Sequence, residues 1–348
     1  MTIREQTKLV KNKSLSFGKS NKILIQSMCD FKTSDTKNVI KQINECAKNG
    51  ADLMRISILD DDDVNTIKII KKHVKIPLVA DIHLDYKLAI KAIDNGIDKI
   101  RINPGNITKK SELINILNEA KKYDTIIRIG VNSGSMPKNI KGKNEATKIV
   151  NAALQYINFF EKNDFFKIVV SLKSSNPITT YEAYSLFSKK SKYPLHIGVT
   201  ESGFDEIGII RSVAGLSPLL ISGIGNTIRI SLTHNPIKEI ETCKRLLHDL
   251  NLYKNYPTII SCPTCGRCMV NNTKELAEKT LNYCVKNKKY ITVAIMGCVI
   301  NGIGEGKNAD IGLAGANDSY VIFKHGKILK TIKAKDALKS LYEEIDNF

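Results

Sequence analysis

L-V-A-D-I-H at 78–83, K-I-R-I-N-P at 99–104 and T-I-I-R-I-G-V at 125–131 are three short β-branched runs, separated by polar, helix-periodic segments at 85–96 and 108–123. Such runs read as strands and the periodic segments as helices. Working outward, the same alternation holds on both sides. I-L-I-Q-S-M (23–28) and D-L-M-R-I-S-I (52–58) come before, with helical patterns at 37–50 and 62–74. K-I-V-V-S-L-K (167–173), P-L-H-I-G-V-T (194–200) and T-I-R-I-S-L (227–232) come after, with helical patterns at 145–162, 178–190, 204–214 and 236–251. Eight strands alternating with eight helices predict an α/β protein built on a closed parallel TIM (β/α)8 barrel. An open doubly wound sheet is the alternative, but no G-x-G-x-x-G follows the first strand.

The barrel is expected to span 1–255. P-T-I-I-S-C-P at 257–263 marks a change, and 256–348 reads as a small α+β domain. That domain has a helix at 273–286, a strand at 290–296, a glycine-rich loop, a hairpin around H-G-K (325–327) and a last helix near 334–346.

Polar residues recur on one parity near the strand ends. Asp81 and His83 share a face, as do Arg101 and Asn103, Arg128 and Asn132, Ser171 and Lys173, His196 and Thr200, and Arg229 and Ser231; Arg55 joins from the second strand. Alternation by two puts each pair on one side of its strand. The strand ends at the C-terminal side of such a barrel form its active-site mouth. Four arginines, a lysine and two histidines gathered there would repel one another unless an anion lies among them. Arginine forks match phosphate oxygens, so a phosphate or diphosphate ligand is expected.

The chain carries a net charge of +18 over 348 residues. That favours anionic substrates and acidic protein partners. No dense Lys/Arg block marks a nucleic-acid arm. The first residues, M-T-I-R-E-Q-T-K-L-V, contain no apolar run of signal-peptide length, and no segment is apolar enough to span a membrane. A cytoplasmic enzyme is expected, with no nucleic-acid or membrane partner.

Four of the eight cysteines crowd into 262–284, with C-x-x-C spacing, which favours metal binding in a reducing compartment. Cys29, Cys46 and Cys243 are scattered and read as buried thiols. S-C-P-T-C-G-R-C (261–268) supplies Cys262, Cys265 and Cys268, and G-C-V-I-N-G-I-G-E (297–305) supplies Cys298 and Glu305. Three thiolates and one carboxylate suit an iron–sulfur cluster with one weak, replaceable ligand. Spacing alone leaves open which three cysteines bind. A ferredoxin run lacks its fourth cysteine, and a zinc ribbon lacks its second knuckle.

At this point the chain resembles the 4-hydroxy-3-methylbut-2-enyl diphosphate synthases of the non-mevalonate isoprenoid pathway, in their bacterial two-domain form. The likeness covers almost the whole length. It is carried by I-Q-S-M (25–28), P-L-V-A-D-I-H-L-D-Y (77–86), D-K-I-R-I-N-P-G-N-I (98–107), R-I-G-V-N-S-G-S (128–135), S-L-K (171–173) and Y-P-L-H-I-G-V-T-E-S-G (193–203). G-I-G-N-T-I-R-I-S-L-T (223–233), I-S-C-P-T-C-G-R (260–267) and M-G-C-V-I-N-G-I-G-E (296–305) complete it.

The resemblance implies a [4Fe–4S] cluster held by Cys262, Cys265, Cys298 and Glu305, leaving Cys268 outside the ligand set. The family usually has proline where this chain has Ile303. It implies that a cyclic diphosphate is opened, reduced by two electrons and dehydrated. Substrate would be held by Arg55, His83, Arg101, Asn103, Arg128, Asn132, Lys173, His196, Arg229, Ser231 and Asn301. Glu201 is the expected proton donor for the departing hydroxyl, with Asp81 second, and Glu305 is the ligand that exchanges. Flavodoxin or ferredoxin would supply electrons. A homodimer would set the cluster domain of one chain over the barrel of the other.

Two rivals share parts of this pattern. A pteroate-type TIM-barrel synthase with a structural zinc domain shares the phosphate-binding barrel but has no use for Glu305. A basic zinc-ribbon RNA-binding protein is opposed by the polar barrel mouth.

Overall fold

Eight parallel strands close into a ring in the first of two compact units, Met1–Leu252 and Tyr253–Phe348. The computed structural model describes residues 1–83, 85–137 and 139–348. A short antiparallel hairpin, β1 (Val10–Lys11) and β2 (Ser16–Phe17), comes first. The ring strands are β3 (Leu24–Met28), β4 (Leu53–Ile58), β5 (Leu78–Ile82), β6 (Lys99–Ile102), β7 (Ile126–Asn132), β8 (Ile168–Lys173), β9 (His196–Ile197) and β10 (Thr227–Ile228). Their order is β8-β7-β6-β5-β4-β3-β10-β9. A parallel bridge from Val170 to Leu195 joins the two ends, and Val170 N–H donates to Pro194 O at 2.9 Å.

The helices between them are α1 (Thr36–Lys48), α2 (Asp61–His73), α3 (Tyr86–Asp94), α4 (Lys110–Lys122), α5 (Glu145–Lys162), α6 (Pro177–Lys190), α7 (Asp205–Ile221) and α8 (Pro236–Asp249). Their starts follow from side-chain caps. Asp35, Asp60, Asp85, Asn144, Asn176 and Asn235 each accept a backbone N–H in the first turn. Pro177 and Pro236 follow two of these caps, where a missing N–H costs nothing.

Two strands are shorter than their sequence patterns. Over 194–200 only His196–Ile197 is regular, because Pro194 has no N–H to give the ladder. Over 227–232 the regular strand ends at Ile228; Arg229 N–H still donates to Ile197 O at 3.0 Å, and the N–H of Leu232 donates to Glu239 Oε1 at 3.0 Å. Helix α7 continues past 214 to Ile221 with Pro218 inside it.

The N-terminal segment seals one end of the barrel. Arg4 is 1% exposed; its Nε donates to Gly225 O at 2.6 Å and its Nη1 to Asn21 Oδ1 at 2.9 Å. Phe17 lies under Lys99, whose Nζ is 4.7 Å from the ring centroid.

The second unit holds a mixed sheet in the order β11 (Thr258–Ser261), β12 (Thr292–Met296), β13 (Ile311–Ala316), β14 (Ser319–Lys324), β15 (Lys327–Lys333). Strands β11, β12 and β13 are parallel, and β14 is antiparallel to both of its neighbours. On one face Val293, Ile295, Leu313 and Ile322 pack with Leu276 and Cys284 of α9 (Thr273–Lys286) and with Leu341 and Ile345 of α11 (Ala337–Asp346). On the other face Ala294, Met296, Ala314 and Phe323 form a smaller core that Val299 and Ile303 join.

The glycine-rich stretch after β12 is not a loop. Val299–Glu305 is a helix, α10, with Cys298 at its N-terminal cap. A Cβ on Gly302 would sit 2.6 Å from Met296 Cβ, so that glycine is there to let the helix lie close against β12. Ile303 packs against the same core.

Candidate active site

The barrel interior encloses an excess of positive charge. Alternation along the strands turns Arg55, Lys99, Arg101, Arg128, Lys173 and Arg229 inward, and two carboxylates meet them. Asp81, from β5, lies 3.2 Å from Arg101 Nη1, 3.7 Å from Arg55 Nε and 3.3 Å from His83 Nε2. Glu239, from α8, takes Arg229 in a two-pronged contact of 3.1 Å on each side. Ser27 Oγ donates to the same carboxylate at 2.6 Å. Met28 Sδ accepts from Arg55 Nη2 at 2.8 Å and lies 3.5 Å from Arg229 Nη1.

Arg128 and Lys173 have no carboxylate partner among the described residues. Arg128 is 2% exposed, and its Nε and Nη1 are buried without any hydrogen-bond acceptor. Arg101 Nε and His196 Nε2 are likewise without partners. Buried polar groups almost always have partners. Gln26 Nε2 is also unpartnered, and unsatisfied donors among so many buried cations suit an anion.

Two glycines make the room. A Cβ on Gly198 would lie 2.5 Å from Lys173 Nζ and 2.6 Å from Arg229 O. A Cβ on Gly130 would lie 2.7 Å from Arg101 Nε. Glycine here serves close approach rather than turning.

The crowding sets the charge states. Burial, and then the positive charge of Arg128, Arg229, Arg55 and Arg101, push the Lys173 amine well below its ordinary range. Burial and the charges of Arg55 and Arg101 do the same to Arg128. Burial alone would raise the Asp81 carboxyl, but Arg55, a hydrogen bond from His83, Arg101 and Arg128 outweigh it and hold it well below the usual carboxylate range. Asp81 is therefore an anion that fixes two arginines. In that state it orients Arg55 and Arg101, and a role as second proton donor would require it to take up a proton first.

Other expected residues fall in different places. His196 is completely buried at the start of β9, its Nδ1 3.4 Å from Thr227 Oγ1, below the mouth rather than in it. Asn103 is buried, and its amide is spent on Ser135 Oγ at 2.6 Å and on the N–H of Gly105 at 2.9 Å. His83 is half-exposed, and Asn132 and Ser231 are partly exposed at strand ends. Glu201 is exposed on the loop after β9, with φ of 52°. Glu239, Met28, Gln26 and Lys99 were missed by sequence reasoning. Lys99 shares the inward parity of Arg101 and was readable; Glu239 reaches the barrel from a helix, which strand parity cannot detect.

In the second unit the thiols gather around Gly297. Cys262 follows β11, and its Sγ accepts the N–H of Gly297 at 3.1 Å. Cys298 is the next residue and is 8% exposed. A Cβ on Gly297 would overlap Cys268 Sγ and approach Cys262 Sγ to 3.4 Å. Cys268 Sγ donates to Val270 O at 2.9 Å. Cys265 is exposed in the segment after β11, and Asn301 and Glu305 are exposed on α10. Among the described residues no three His, Cys, Asp or Glu side chains already converge as a metal site. The donor chemistry nonetheless fits an iron–sulfur centre, since a glycine amide on a cysteine sulfur is a contact that stabilises a ligating thiolate.

The GcpE TIM-barrel domain matches residues 7–244, and the GcpE protein C-terminal domain matches 258–347. The chain belongs to the GcpE family. Relatives within it are similar from end to end. The chain is 45% identical over 347 residues to 4-hydroxy-3-methylbut-2-en-1-yl diphosphate synthase (flavodoxin) of Caldanaerobacter subterraneus, covering 99% of this chain and 98% of that protein. It is 44% identical to the protein of the same name from Clostridium perfringens, with 99% of each covered. It is 44% identical to that from Malacoplasma penetrans, covering 98% and 95%.

Among solved structures, the Yersinia pestis dihydropteroate synthase overlays 70% of this chain and 98% of its own, with a TM-score of 0.51 and 13% identity. Plasmodium falciparum HPPK-DHPS overlays 70% of this chain and 49% of its own, with a TM-score of 0.53 and 17% identity. These likenesses concern the barrel fold alone.

Two measurements test the GcpE barrel interior. Burial, followed by Arg128, Lys173, Lys99 and Arg55, holds His196 well below its ordinary 6.5. The unfolded chain thus takes up a proton first, and acid favours unfolding. Stability should decline as pH falls below 6.5 toward the folded value, by up to about 1.4 kcal/mol per pH unit. His196→Gln should flatten that slope in urea unfolding followed across pH 4–7; an unchanged slope would remove His196 as its source. Gly198→Ala should displace Lys173 and weaken binding of inorganic diphosphate about tenfold or more, read by calorimetry. Unaltered affinity would place the anion elsewhere.

Proposed function

We propose that the chain is a reductive 4-hydroxy-3-methylbut-2-enyl diphosphate synthase of isoprenoid biosynthesis, working in the cytoplasm. It opens 2-C-methyl-D-erythritol 2,4-cyclodiphosphate, takes up two electrons and loses water. The observation that carries this reading is the enclosed surplus of cations around Arg128, whose free nitrogens call for a polyanion. The names and full-length similarity of the relatives support it.

Unit Met1–Leu252 takes the role of substrate domain. Arg55, Arg101, Arg128, Lys173 and Arg229 bind the diphosphate as a converging set of forks and point charges. Asn132 and Ser231 hydrogen-bond at its edge, and His83 closes the approach over Asp81. Asn103 acts by shaping the 103–106 turn, His196 supports the cradle from below, and Asn301 is a further substrate-binding residue. Asp81 and Glu239 orient the arginines, so the forks are in place before substrate arrives and little reorganisation is needed. Glu201, exposed on the loop after β9, is the proton donor for the departing hydroxyl, with Asp81 second.

Cys262, Cys265, Cys298 and Glu305 would hold a [4Fe–4S] cluster. When bound it supplies single electrons and a Lewis-acid iron. Glu305 is the hard oxygen donor in a soft set and thus the exchangeable ligand. Flavodoxin is the expected donor, ferredoxin the alternative. The chain acts as a homodimer in which the cluster domain of one chain serves the barrel of the other.

Anaerobic purification should yield about four irons and matching sulfide per chain. That preparation should turn over the cyclic diphosphate with dithionite. Zinc in place of iron, with no turnover, would overturn the assignment. Glu201→Gln should lower the rate constant by about two orders of magnitude or more while substrate affinity stays within twofold. An undiminished rate would move the proton donor elsewhere.

A further inference from the structure

The sheet of the second unit carries a basic edge, and one end of that edge lies level with the cysteines. Register runs across the strands from Met296 to Ala314, from Ala314 to Val321 and from Val321 to Thr331. Strand β15 runs in the same direction as β12, because β14 opposes both β13 and β15. Cys298 lies two residues past Met296, and Lys333 two residues past Thr331. The cysteines and Lys333 therefore leave the sheet at the same end.

From the end of β14 through β15 to the first turn of α11, residues 324–339 contain six lysines and one acidic residue, Asp336, and Glu343 lines the same depression as Lys335 and Lys339. Lys330 is held by Glu344 at 2.7 Å. Lys333, Lys335 and Lys339 are exposed and make no ion pair among the described residues. Ile328 and Leu329 stand 64% and 49% exposed on the same strand. A cleft of about 700 Å³ reaches from Cys268 and Val270 past Asn317, Asp318 and Tyr320 to Ala334, just after the edge strand.

Lysines on a sheet edge often serve only to repel a further strand. That purpose gives no reason for two large exposed apolar residues among them, which invite contact. Apolar centres rimmed by charge are the composition of protein interfaces, and brief redox encounters use small ones. The charge selects an acidic partner.

We propose that the β15 edge, from Lys327 to Lys339, is the docking surface for an acidic one-electron carrier of the flavodoxin kind, with the cleft beside Cys268 as the side on which electrons enter. The inference rests on the synthase reading and adds to it where the carrier binds. Each docking event transfers one electron from the reduced flavin, and two events supply the pair that the reaction consumes.

The test compares the cluster-loaded full chain with its K333E/K335E/K339E variant, using reduced flavodoxin and dithionite in parallel. The variant should show a KM for flavodoxin raised about tenfold or more at low ionic strength, and a loss of the salt dependence seen in the unmodified chain. Dithionite turnover should stay within twofold. Calorimetric binding of oxidised flavodoxin should weaken by the same factor as KM. A flavodoxin KM and affinity within twofold of the unmodified chain would overturn the proposal. If charge reversal impairs folding, seen as lost dithionite turnover, the milder K335A/K339A pair must still weaken flavodoxin binding severalfold, and no weakening would overturn it. Failure of the unmodified chain with dithionite would instead sink the synthase reading, and the calorimetry would still decide the docking surface.

Discussion

Six basic side chains enclosed with two carboxylates is the constraint on which the barrel depends. Such a set is expensive to bury, and the sequence meets the cost in three ways. Asp81 and Glu239 neutralise part of it. Glycines at 130 and 198 give the long side chains somewhere to lie without forcing the strands apart. Burial shifts Lys99, Lys173 and His196 toward their neutral forms. What stays uncompensated is centred on Arg128 and is left for a ligand. Affinity for a polyanion thus follows from the same charge distribution that makes the barrel interior costly to bury.

The second unit solves a different problem with the same residue type. Gly302 and Gly312 face the small core under α10, where a Cβ would strike Met296 or the Phe323 ring. Gly297 lies among the sulfurs of Cys262 and Cys268. Small residues in this unit thin the protein around the cysteines, whereas in the barrel they accommodate charge.

Much of the fold could be read from the chain, because alternating strand and helix periods are local signals. The long strands with β-branched runs, such as 126–132 and 168–173, were legible almost to the residue, as were helices begun by Asp or Asn caps. What was not legible depended on distant partners. The regular ladder of β10 gives way to a side chain from α8, and α10 forms where glycines suggested a loop, because those glycines answer to packing against β12. The inward parity of Arg55, Arg101, Arg128 and Lys173 could be counted along each strand. Which of them already had a carboxylate could not, since Glu239 arrives from a helix and Asp81 serves two arginines at once.

Arg4 reaches across 221 positions of sequence to the carbonyl of Gly225, and Asn226 returns a bond to Thr7. The seat of Arg4 is therefore unfinished until the stretch leading into the last barrel strand has been made. Closing so long a loop carries an entropy cost and delays folding. During synthesis this end of the barrel is sealed late, because Arg4 and Thr7 are made long before Gly225 and Asn226. Changes at Arg4 or Thr7 would accordingly burden the late step of assembly, while leaving the earlier strands free to pair.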